Sequence, residues 1–582
     1  MKLSGKKVLV MGLGLHGGGV GTVKWLLRKG AKVTVTDLKT KKQLAPSIRA
    51  LKDAKLFNPE AVNPEAKLLG RSLASARSRS LASVQSTSVA SLRFVLGHHS
   101  RADILAADLI VQNPGVPNDS PYLKLARKHH IPITNDTALF FQHCPWPIIG
   151  VTGTKGKTTT ATLLYEILRR HFTVIASDPR ERGNPHRVHL AGNLRISPLE
   201  LLLSHPVILS QVEGSRSRSH QTSNLRPLTS DLVILELSSW NLEGLSRIKQ
   251  SPHVAVITNL MPDHLNRYSS MRAYIEAKAN IFKYQKPRDI LVLNRDDATC
   301  RFLAKRAKAR VVFFNPEAVN PESKLLGRSL DSARSRSLAS AHSQKLCFGS
   351  FDRSVASAQF FHNRSNIAAA LVTARALGVP SKTVNAALAS FKGVPGRLES
   401  IATIRAVHYI NDTTATTPEA TIAALTSLSV IPSRVEGSRR TTAKEAPTSR
   451  SERSERAINK RNGIVLIAGG GDKKLDYEAL AQAIQKHCKA LILFKGSASE
   501  KILSSLRAKR SNLAHTVIPS RVEGSRLTIV SDLKTMPSAL SAARRLAARG
   551  DTILLSPGAT SFGLFQHEFD RGDQFDRAVR MR

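Results

Sequence analysis

Short apolar segments alternate with amphipathic segments along much of this 582-residue chain. Apolar runs such as KKVLVMGLG at 6–14, PIIGVTGT at 147–154 and DLVILELSSW at 231–240 each end at glycine, serine or threonine before helical spacing begins. An uninterrupted apolar run that leads into a helix is typical of a parallel strand buried on both faces. The pattern therefore predicts an α/β fold organised around strand, loop and helix units.

Five segments interrupt this pattern, and their sequences are partly repeated. Residues 57–83 recur almost letter for letter at 314–340, and VIPSRVEGSR occurs both at 430–439 and at 517–526. These Ser- and Arg-rich stretches have no helical or strand period, and two distant copies cannot stack as a solenoid does. We interpret them as solvated surface insertions between elements, with binding of RNA or another partner as the alternative. The predicted insertions lie near 57–83, 207–230, 314–340, 430–462 and 503–526.

The charge raises a competing interpretation. Lys and Arg total 87 against 43 Asp and Glu, a formal net charge of +44, which commonly indicates nucleic-acid binding. However, aromatic residues make up only 5% of the chain, and the Arg clusters alternate with Ser and Ala rather than with rings on which bases could stack. A basic nucleic-acid-binding NTPase remains the alternative from a different class. The 41% of hydrophobic residues argues against a wholly disordered basic protein.

Cysteine spacing and hydropathy indicate the cellular compartment in which the protein is expected. The four cysteines, Cys144, Cys300, Cys347 and Cys488, form no CxxC pair, which argues against a zinc ribbon, a thioredoxin-like site or a disulfide framework. No segment approaches the roughly 18 uninterrupted apolar residues of a membrane helix. We expect a cytoplasmic protein without a membrane partner.

A glycine-rich loop follows the first apolar run. Gly12, Gly14 and Gly17 come directly after it, and Asp37 ends the next apolar run about twenty residues later. Such glycines let backbone N–H groups approach a diphosphate, and the acid is placed to hold a ribose or base. The segment predicts a nucleotide or dinucleotide site, and a purely structural turn is the alternative.

The second strand–loop–helix unit is more specific. PIIGVTGTKGKTTT runs from an apolar strand through a glycine- and lysine-containing loop into an amphipathic helix, although the spacing is shorter than the strict GxxxxGK[ST] pattern. This context is the one that a phosphate-cradling loop requires. We predict that Lys157 neutralises the β- and γ-phosphates of a nucleotide and that the Thr158 hydroxyl is a Mg²⁺ ligand.

Three ionisable residues downstream are candidates for the chemistry. Glu236 lies in a strand apolar enough to be central, where a carboxylate is costly unless it meets a cation. We interpret it as a metal ligand, with a buried ion pair as the alternative. His264, in an Asp263–His264 pair, and Lys278, on the next helix, are weak signals alone because such residues are more often structural or solvated.

Taken together, these motifs resemble the ATP-dependent Mur ligase family, which includes the folylpolyglutamate synthases. The matching segments are TGTKGKTTT, ELSSWNLE, NLMPDHLNRY and the following Lys278, and they cover nearly the whole chain outside the insertions. GLGLHGGG with Asp37, the segment 113–115, and the C-terminal INDTTATTPEAT, GGGDKKLDY and LLSPGATSFGLFQHEFDRGDQF are similar to the D-glutamate-adding branch. A family member that adds a different amino acid is the alternative within the same class.

The resemblance implies an amide ligase that activates a carboxylate with ATP. The expected substrates are UDP-N-acetylmuramoyl-L-alanine, D-glutamate and ATP, with an acyl-phosphate intermediate, in peptidoglycan precursor synthesis. It implies two Mg²⁺ ions and a carbamylated lysine at Lys278, because carbamylation turns an ammonium into an anionic oxygen ligand. We expect a monomer that binds no nucleic acid. The implied catalytic residues are Lys157, Glu236, His264 and Lys278, and the implied metal ligands are Thr158, Glu236, His264 and Lys278.

The resemblance also distributes the binding residues over three expected domains. These are a Rossmann-like UDP-substrate domain at 1–140, a P-loop ATPase domain with a parallel sheet at 141–393, and a second Rossmann-like domain at 394–582. The implied ATP contacts are Gly153, Thr154, Lys155, Gly156, Lys157, Thr158, Thr159, Asn363, Asn366, Arg397 and Asp412. Helix capping is the alternative for the two asparagines. The implied UDP-substrate contacts are Gly14, Leu15, His16, Asp37, Lys39, Asn113, Gly115, Asn193, Ser239 and Asn241, and the implied D-glutamate contacts are Thr416, Lys473 and Ser561.

Overall fold

The structure is a computed structural model, and it describes most of the chain outside the predicted insertions. The described residues are 2–15, 17–53, 92–176, 187–192, 197–204, 231–263, 267–315, 364–391, 393–429, 463–472, 475–508, 527–561, 563–565 and 567–581.

The first sheet confirms the predicted Rossmann-like start of the chain. Its five strands are all parallel, in the order β3-β2-β1-β4-β5. The strands are β1 Lys7–Met11, β2 Lys32–Asp37, β3 Leu92–Leu96, β4 Leu109–Gln112 and β5 Ile133–Thr134. The accompanying helices are α1 Gly18–Arg28, α2 Ala45–Lys52, α3 Arg101–Leu105, α4 Pro121–Lys128 and α5 Asp136–His143. The strand order reverses between β1 and β4, which is where ligands bind in open α/β sheets.

The second sheet contains the phosphate-loop strand. Its six strands are parallel, in the order β11-β10-β9-β6-β8-β7. They are β6 Ile148–Thr152, β7 Val188–Gly192, β8 Leu232–Glu236, β9 Val254–Ile257, β10 Ile290–Asn294 and β11 Arg310–Phe314. The helices are α6 Lys157–Ala176, α7 Pro198–Ser204, α8 Ser239–Ile248, α9 Met271–Ala279, α10 Ala298–Ala304, α11 Arg364–Ala376 and α12 Ser381–Ser390. All residues of β6, β8 and β9 are buried, as their uninterrupted apolar sequences predict.

The third sheet begins with a hairpin and continues in parallel. Its order is β12-β13-β17-β14-β15-β16, and only the β12–β13 pair among these described strands is antiparallel. The strands are β12 Glu399–Ile404, β13 Val407–Asn411, β14 Ile464–Gly469, β15 Cys488–Phe494, β16 Thr528–Leu533 and β17 Thr552–Leu555. The helices are α13 Pro418–Ser429, α14 Glu478–His487, α15 Ser497–Ala508, α16 Met536–Leu546 and α17 Glu568–Arg580.

The described chain divides into two compact units. The first ends at Phe391 and contains the first and second sheets, which share one continuous apolar core. The second starts after Phe391 and contains the third sheet, with separate apolar clusters that include Phe575 and Leu480. The predicted α/β class with largely parallel sheets is therefore confirmed. The finer division of the first unit near residue 140 remains a prediction.

Two predicted insertion boundaries are wrong. Phe314 is the last residue of β11 and is 1% exposed, so the insertion predicted from 314 cannot begin there. The segment 503–508 belongs to α15, where Leu506 is buried, so the insertion predicted from 503 starts inside a packed helix. In both cases the repeated or Arg-rich sequence was taken as an insertion, although its first apolar residues belong to a strand or a helix. Apart from Asn315, the rest of the five insertions lies outside the described residues.

No helix within the described ranges is long and apolar enough to cross a membrane.

Candidate functional site

The loop between β6 and α6 has the predicted geometry of a phosphate-cradling loop. β6 ends at Thr152, and the helix begins at Lys157 after a loop with positive φ at Gly153 (148°) and Gly156 (84°). The Lys157 Nζ donates to the carbonyl oxygens of Gly153 at 3.0 Å and Thr154 at 2.9 Å. The lysine is therefore folded over its own loop, at the positive end of α6.

Residues from two other elements close the sides of this loop. After β9, the Asn259 side chain accepts from the Lys155 backbone N–H at 2.9 Å and donates to the Lys155 carbonyl at 3.1 Å. At the start of α11, Asn366 packs so tightly that a Cβ added to Gly156 would lie 1.9 Å from its Oδ1. Asn366 therefore lies against the phosphate loop, and its contact with ATP remains a prediction. Asn259 was missed because only the pairing of β6 with β9 brings it there.

Lys278 lies at the same loop and is almost inaccessible to solvent. This α9 residue is 2% exposed, and its Nζ donates to the Gly153 carbonyl at 2.9 Å. The same nitrogen also lies 4.9 Å from the centre of the Tyr274 ring. Burial lowers the pKa of Lys278 well below its usual value, Lys157 lowers it further, and the carboxylates of Asp263 and Glu236 oppose the shift. The site therefore favours a neutral amine at this position.

Two carboxylates act electrostatically on Lys278, and a hydroxyl lies in the first turn of α6. Glu236 is 2% exposed at the carboxyl end of β8, where it pairs with Val151 just before the phosphate loop. Thr158 is in the first turn of α6, and Asp263 acts electrostatically on Lys278. Hydroxyl and carboxylate oxygens are what Mg²⁺ prefers, so this donor set fits the ion. No cluster of three or more His, Cys, Asp or Glu side chains that could hold a metal is found in the described ranges.

At the first sheet, Asp37 organises the glycine-rich loop. Its Oδ2 accepts from the backbone N–H groups of Leu13 at 2.9 Å and Gly14 at 3.2 Å, and its Oδ1 accepts from that of Lys39 at 2.9 Å. The carboxylate is thus already held by three backbone donors. Its predicted contact with the UDP substrate remains a prediction, and the observed role is to fix the loop.

A second loop faces the first across the strand-order reversal. Asn113 follows β4, and its Cβ lies 3.0 Å from the position that a Cβ on Gly12 would take. The Asn113 Oδ1 accepts from the Gly115 backbone N–H at 3.2 Å. The predicted residues Gly14, Asn113 and Gly115 are therefore brought to one edge of the sheet, where the loops after β1 and β4 meet.

The Asn241 side chain makes hydrogen bonds within the protein, in addition to the substrate contact that was predicted for it. Its Oδ1 accepts from the Ser238 backbone N–H at 3.0 Å and from the Ser238 hydroxyl at 2.5 Å, which caps α8. Its Nδ2 donates to the Thr137 hydroxyl at 2.8 Å. Ser239 is 2% exposed and its side chain hydrogen-bonds to Tyr268. The substrate contacts of Ser239 and Asn241 remain predictions.

In the second unit, Asp412 is a buried acid. It is 7% exposed; its Oδ2 accepts from the Ser556 hydroxyl at 2.8 Å and its Oδ1 from the Leu398 backbone N–H at 3.2 Å. Burial raises the pKa of Asp412 to about 7, against the opposing effects of these hydrogen bonds and of Arg397. The exposed Arg397 immediately precedes Leu398, whose φ is 45°.

The loops that carry the predicted D-glutamate residues lie at one edge of the third sheet. Thr416 follows β13 and the buried Ser561 follows β17, which pairs in parallel with both β13 and β14. The fully buried Arg571 braces these loops: it donates to the Thr413 carbonyl at 2.9 Å and to the Ala559 carbonyl at 3.3 Å. Sequence reasoning missed Arg571 because a helical arginine is ordinarily solvated.

Five predicted site residues lie outside the described residues: His16, Asn193, His264, Asn363 and Lys473.

Comparison with known proteins gives a consistent result. Residues 151–374 match the family model described as the Mur ligase middle domain. The chain is 35% identical to a UDP-N-acetylmuramoylalanine–D-glutamate ligase of Roseiflexus sp. (strain RS-1), over 100% of this chain and 99% of the relative. It is 31% identical to the protein of the same name from Borreliella afzelii (strain PKo), over 98% and 97%.

Among solved structures, the chain is similar to the UDP-N-acetylmuramate-alanine ligase MurC of Thermotoga maritima, with a TM-score of 0.48, 16% identity and 99% of each chain covered. The sequence relatives carry the assignment, because their identity extends over essentially the full length of both chains. On this evidence the chain belongs to the Mur ligase family.

Proposed function

We propose that this protein is an ATP-dependent ligase that joins D-glutamate to the alanyl carboxylate of UDP-N-acetylmuramoyl-L-alanine, in peptidoglycan precursor synthesis. The proposal rests on the phosphate loop, where the Nζ atoms of Lys157 and of the buried Lys278 both donate to the Gly153 carbonyl oxygen. It occurs in a chain 35% identical, over its full length, to a ligase of that name.

Amide formation from a carboxylate needs an activated acyl group. In the proposed reaction the carboxylate takes the γ-phosphoryl group of ATP, and the amine of D-glutamate then attacks the acyl phosphate. Both steps gather negative charge, so positioned cations supply much of the catalysis. Lys157 and the positive end of α6 provide such charge at the phosphate loop.

The ATP contacts follow from the walls of the loop. Backbone N–H groups at the start of α6 bind phosphate oxygens, while Asn259 and Asn366 hold the loop in shape. We retain Thr154, Lys155 and Thr159 as ATP contacts on the same reasoning, and Asn363 on the resemblance of its sequence segment alone. In the second unit, Arg397 and Asp412 remain the proposed contacts to phosphate and ribose.

Mg²⁺ would be held by Thr158 and Glu236 at one position, and by His264 with a carbamylated Lys278 at a second. Bound there, the ions would neutralise phosphate oxygens of ATP. The lowered pKa of Lys278 supports the carbamate, because only a neutral amine attacks carbon dioxide. The nearby Asp263 carboxylate is a further oxygen donor that the chain offers.

The two organic substrates are assigned to the other sheet edges. The UDP group binds at the loops after β1 and β4, where Leu15, His16 and Lys39 join the residues already placed. Asn193 with Ser239 and Asn241 faces the muramoyl part. D-glutamate binds through Thr416, Lys473 and Ser561, because hydroxyls and a cation suit a dicarboxylate. We further propose a cytoplasmic monomer with no nucleic-acid partner.

A panel of ATP-dependent phosphate-release assays tests the proposal. Each reaction contains UDP-N-acetylmuramoyl-L-alanine and one amino acid, and parallel reactions replace the sugar peptide by RNA or DNA. We expect release only with the sugar peptide and D-glutamate. Stimulation by a different amino acid would overturn the specificity, and polynucleotide-dependent release that weakens steeply with salt would establish the nucleic-acid alternative instead.

A further inference from the structure

A polar cluster ties the loop after β4 to helix α8 and to the segment after the Asp263–His264 pair. We call it the Glu243 cluster, and it comprises Asn118, Glu243, Arg267 and Tyr268. The Glu243 Oε2 accepts from the Asn118 Nδ2 at 2.6 Å and pairs with the Arg267 guanidinium at 3.5 Å. Its Oε1 accepts from the Tyr268 hydroxyl at 2.7 Å. One carboxylate therefore joins three separate segments of the chain.

The cluster reaches the loop of residues 113–118 by a second contact. Arg267 donates to the Pro114 carbonyl at 3.1 Å, and its guanidinium stacks 4.6 Å from the centre of the Trp240 ring. Only 16% of the Arg267 side chain and 17% of the Glu243 side chain are exposed. The partly buried pair is thus fixed in position from both sides, and it holds the same loop at Pro114 and at Asn118.

Positive groups surround Glu243. Besides Arg267, Arg247 interacts electrostatically with Glu243 and with Arg127, and burial lowers the pKa of Arg247. Arg247 donates to the Gln112 Oε1 at 3.1 Å, and Arg127 donates to the Asn118 carbonyl at 2.8 Å. Without the Glu243 carboxylate, these guanidinium groups would repel one another around the loop.

The other side of the cluster leads to the phosphate loop. The Tyr268 ring lies 5.4 Å from that of Tyr274, whose hydroxyl lies 3.2 Å from the Thr154 Oγ1. Tyr274 is also the ring beside the Lys278 Nζ atom. The Glu243 cluster is therefore connected by direct contacts to the residues that activate the carboxylate.

We propose that Glu243 is a positioning residue for the UDP-linked substrate: it holds the 113–118 loop in register with the phosphate loop. This inference rests on the proposed function, and it deepens it by naming what aligns the substrate site with the ATP site. Glu243 acts through Asn118 and Arg267 and does not itself touch the reacting atoms.

The direction of the effect distinguishes positioning from electrostatics. Replacing Glu243 by Gln removes a negative charge near the site of an anionic substrate, which by charge alone would strengthen binding. In either orientation of the new amide, the ion pair with Arg267 is lost, and one side of the cluster, either Tyr268 or Asn118 with Arg267, loses its acceptor oxygen. The contacts that hold the loop are therefore weakened. Positioning therefore predicts weaker binding of the UDP-linked substrate, and electrostatics predicts stronger binding.

The test is steady-state kinetics on Glu243→Gln and Asn118→Ala in the full-length protein, with direct calorimetric titration of UDP-N-acetylmuramoyl-L-alanine in the absence of ATP. We expect the KM and Kd for this substrate to rise about tenfold, while the KM values for ATP and D-glutamate change by less than about twofold. The double variant should be no worse than the more affected single variant, because both break the same connection.

Glu276→Gln is the matched control. Glu276 lies on α9, the helix that carries Lys278, and makes a two-pronged ion pair with Arg306 at 2.6 and 2.8 Å, away from the 113–118 loop. It should leave all three KM values unchanged. The inference is overturned if Glu243→Gln leaves the substrate KM and Kd unchanged or lowers them, or if all KM values rise together. If wild-type protein neither binds nor uses the UDP-sugar peptide, the proposed function fails instead.

Discussion

Lys157 and Lys278 donate to the same acceptor: both Nζ atoms lie on the Gly153 carbonyl oxygen, at 3.0 and 2.9 Å. The two amines are not equivalent. Lys157 comes from the start of α6 and is partly exposed, whereas Lys278 is buried and its pKa is lowered, first by burial and then by the charge on Lys157. One lysine thus suits a permanent cation, and the other suits a reactive amine.

This difference predicts that Lys278 acts as a carbamate. Lys278→Ala should lower kcat by at least about a hundredfold, because it removes a metal-binding oxygen from the site. Acetate, propionate or bicarbonate should restore part of the activity by supplying a carboxylate. Lys283→Ala, at an exposed lysine five residues later, is the control and should keep full activity. An uncompromised Lys278→Ala enzyme would exclude the carbamate.

A second prediction concerns the glycine at the narrowest point of the phosphate loop. Gly156→Ala should raise the KM for ATP by about tenfold or more, because the new Cβ would collide with Asn366 at a φ of 84°. Gly97→Ala shares the backbone strain, with a φ of 89°, but its Cβ would meet nothing within 4 Å. Nucleotide titration of both variants separates a local effect on ATP binding from a general loss of stability caused by a strained alanine. Equal ATP affinities would refute the role assigned to Asn366.

The buried acid Asp412 predicts a pH-dependent stability. Its pKa is about 7 in the folded chain, against an ordinary value of 3.8, so the folded state binds more protons between these values. The contribution of Asp412 to the free energy of unfolding must therefore fall as pH rises from about 4 to about 7. Thermal unfolding across this range should show a smaller decline for Asp412→Asn than for wild type. If the stability of the two proteins declines equally with pH, the raised pKa of Asp412 is contradicted.

Arg571 predicts a defect confined to the second unit. Arg571→Lys should raise the KM for D-glutamate by about tenfold, because an ammonium cannot bridge the Thr413 and Ala559 carbonyls as the planar guanidinium does. Arg544→Lys is a matched control: this exposed arginine also donates to two carbonyls, those of Ala578 and Val579. The KM for each substrate is measured in both variants. An unchanged KM for D-glutamate in Arg571→Lys would show that this arginine does not support the D-glutamate site.

The sequence was most informative where the signal is local. The phosphate loop is written in one continuous segment, so its strand, its glycines and the position of Lys157 could all be predicted. Asn259 and Arg571 could not, because their roles depend on strand pairing and on a helix from the far end of the chain. The strand that carries Glu236 is fully buried, as its apolar sequence predicts, but the expectation that it is central is wrong, because β8 lies next to the edge strand β7 of the second sheet.

The side-chain contacts of the polar candidates were less predictable. Asn241 accepts from the Ser238 backbone N–H in the capping box of α8, and Asp37 accepts from three backbone N–H groups. Both contacts reflect the ordinary preference of short polar side chains for local backbone donors. A motif indicates that such a residue matters but not which of its atoms is already engaged. The repeated and Arg-rich segments led to the opposite error. Their sequences were interpreted as insertions, although Phe314 is the last residue of β11 and residues 503–508 form the last turns of α15.

The tight contact between Gly156 and Asn366 has a consequence for biosynthesis. The Thr160 hydroxyl on α6 donates to the Asn366 carbonyl across 206 residues of sequence. At roughly 5–20 residues per second, about 10 to 40 s of translation separate the phosphate loop from its wall. Through that interval the ribosome-bound chain has its glycines and lysine but lacks Asn366. The wall of the phosphate loop is therefore complete only after synthesis has passed the start of α11.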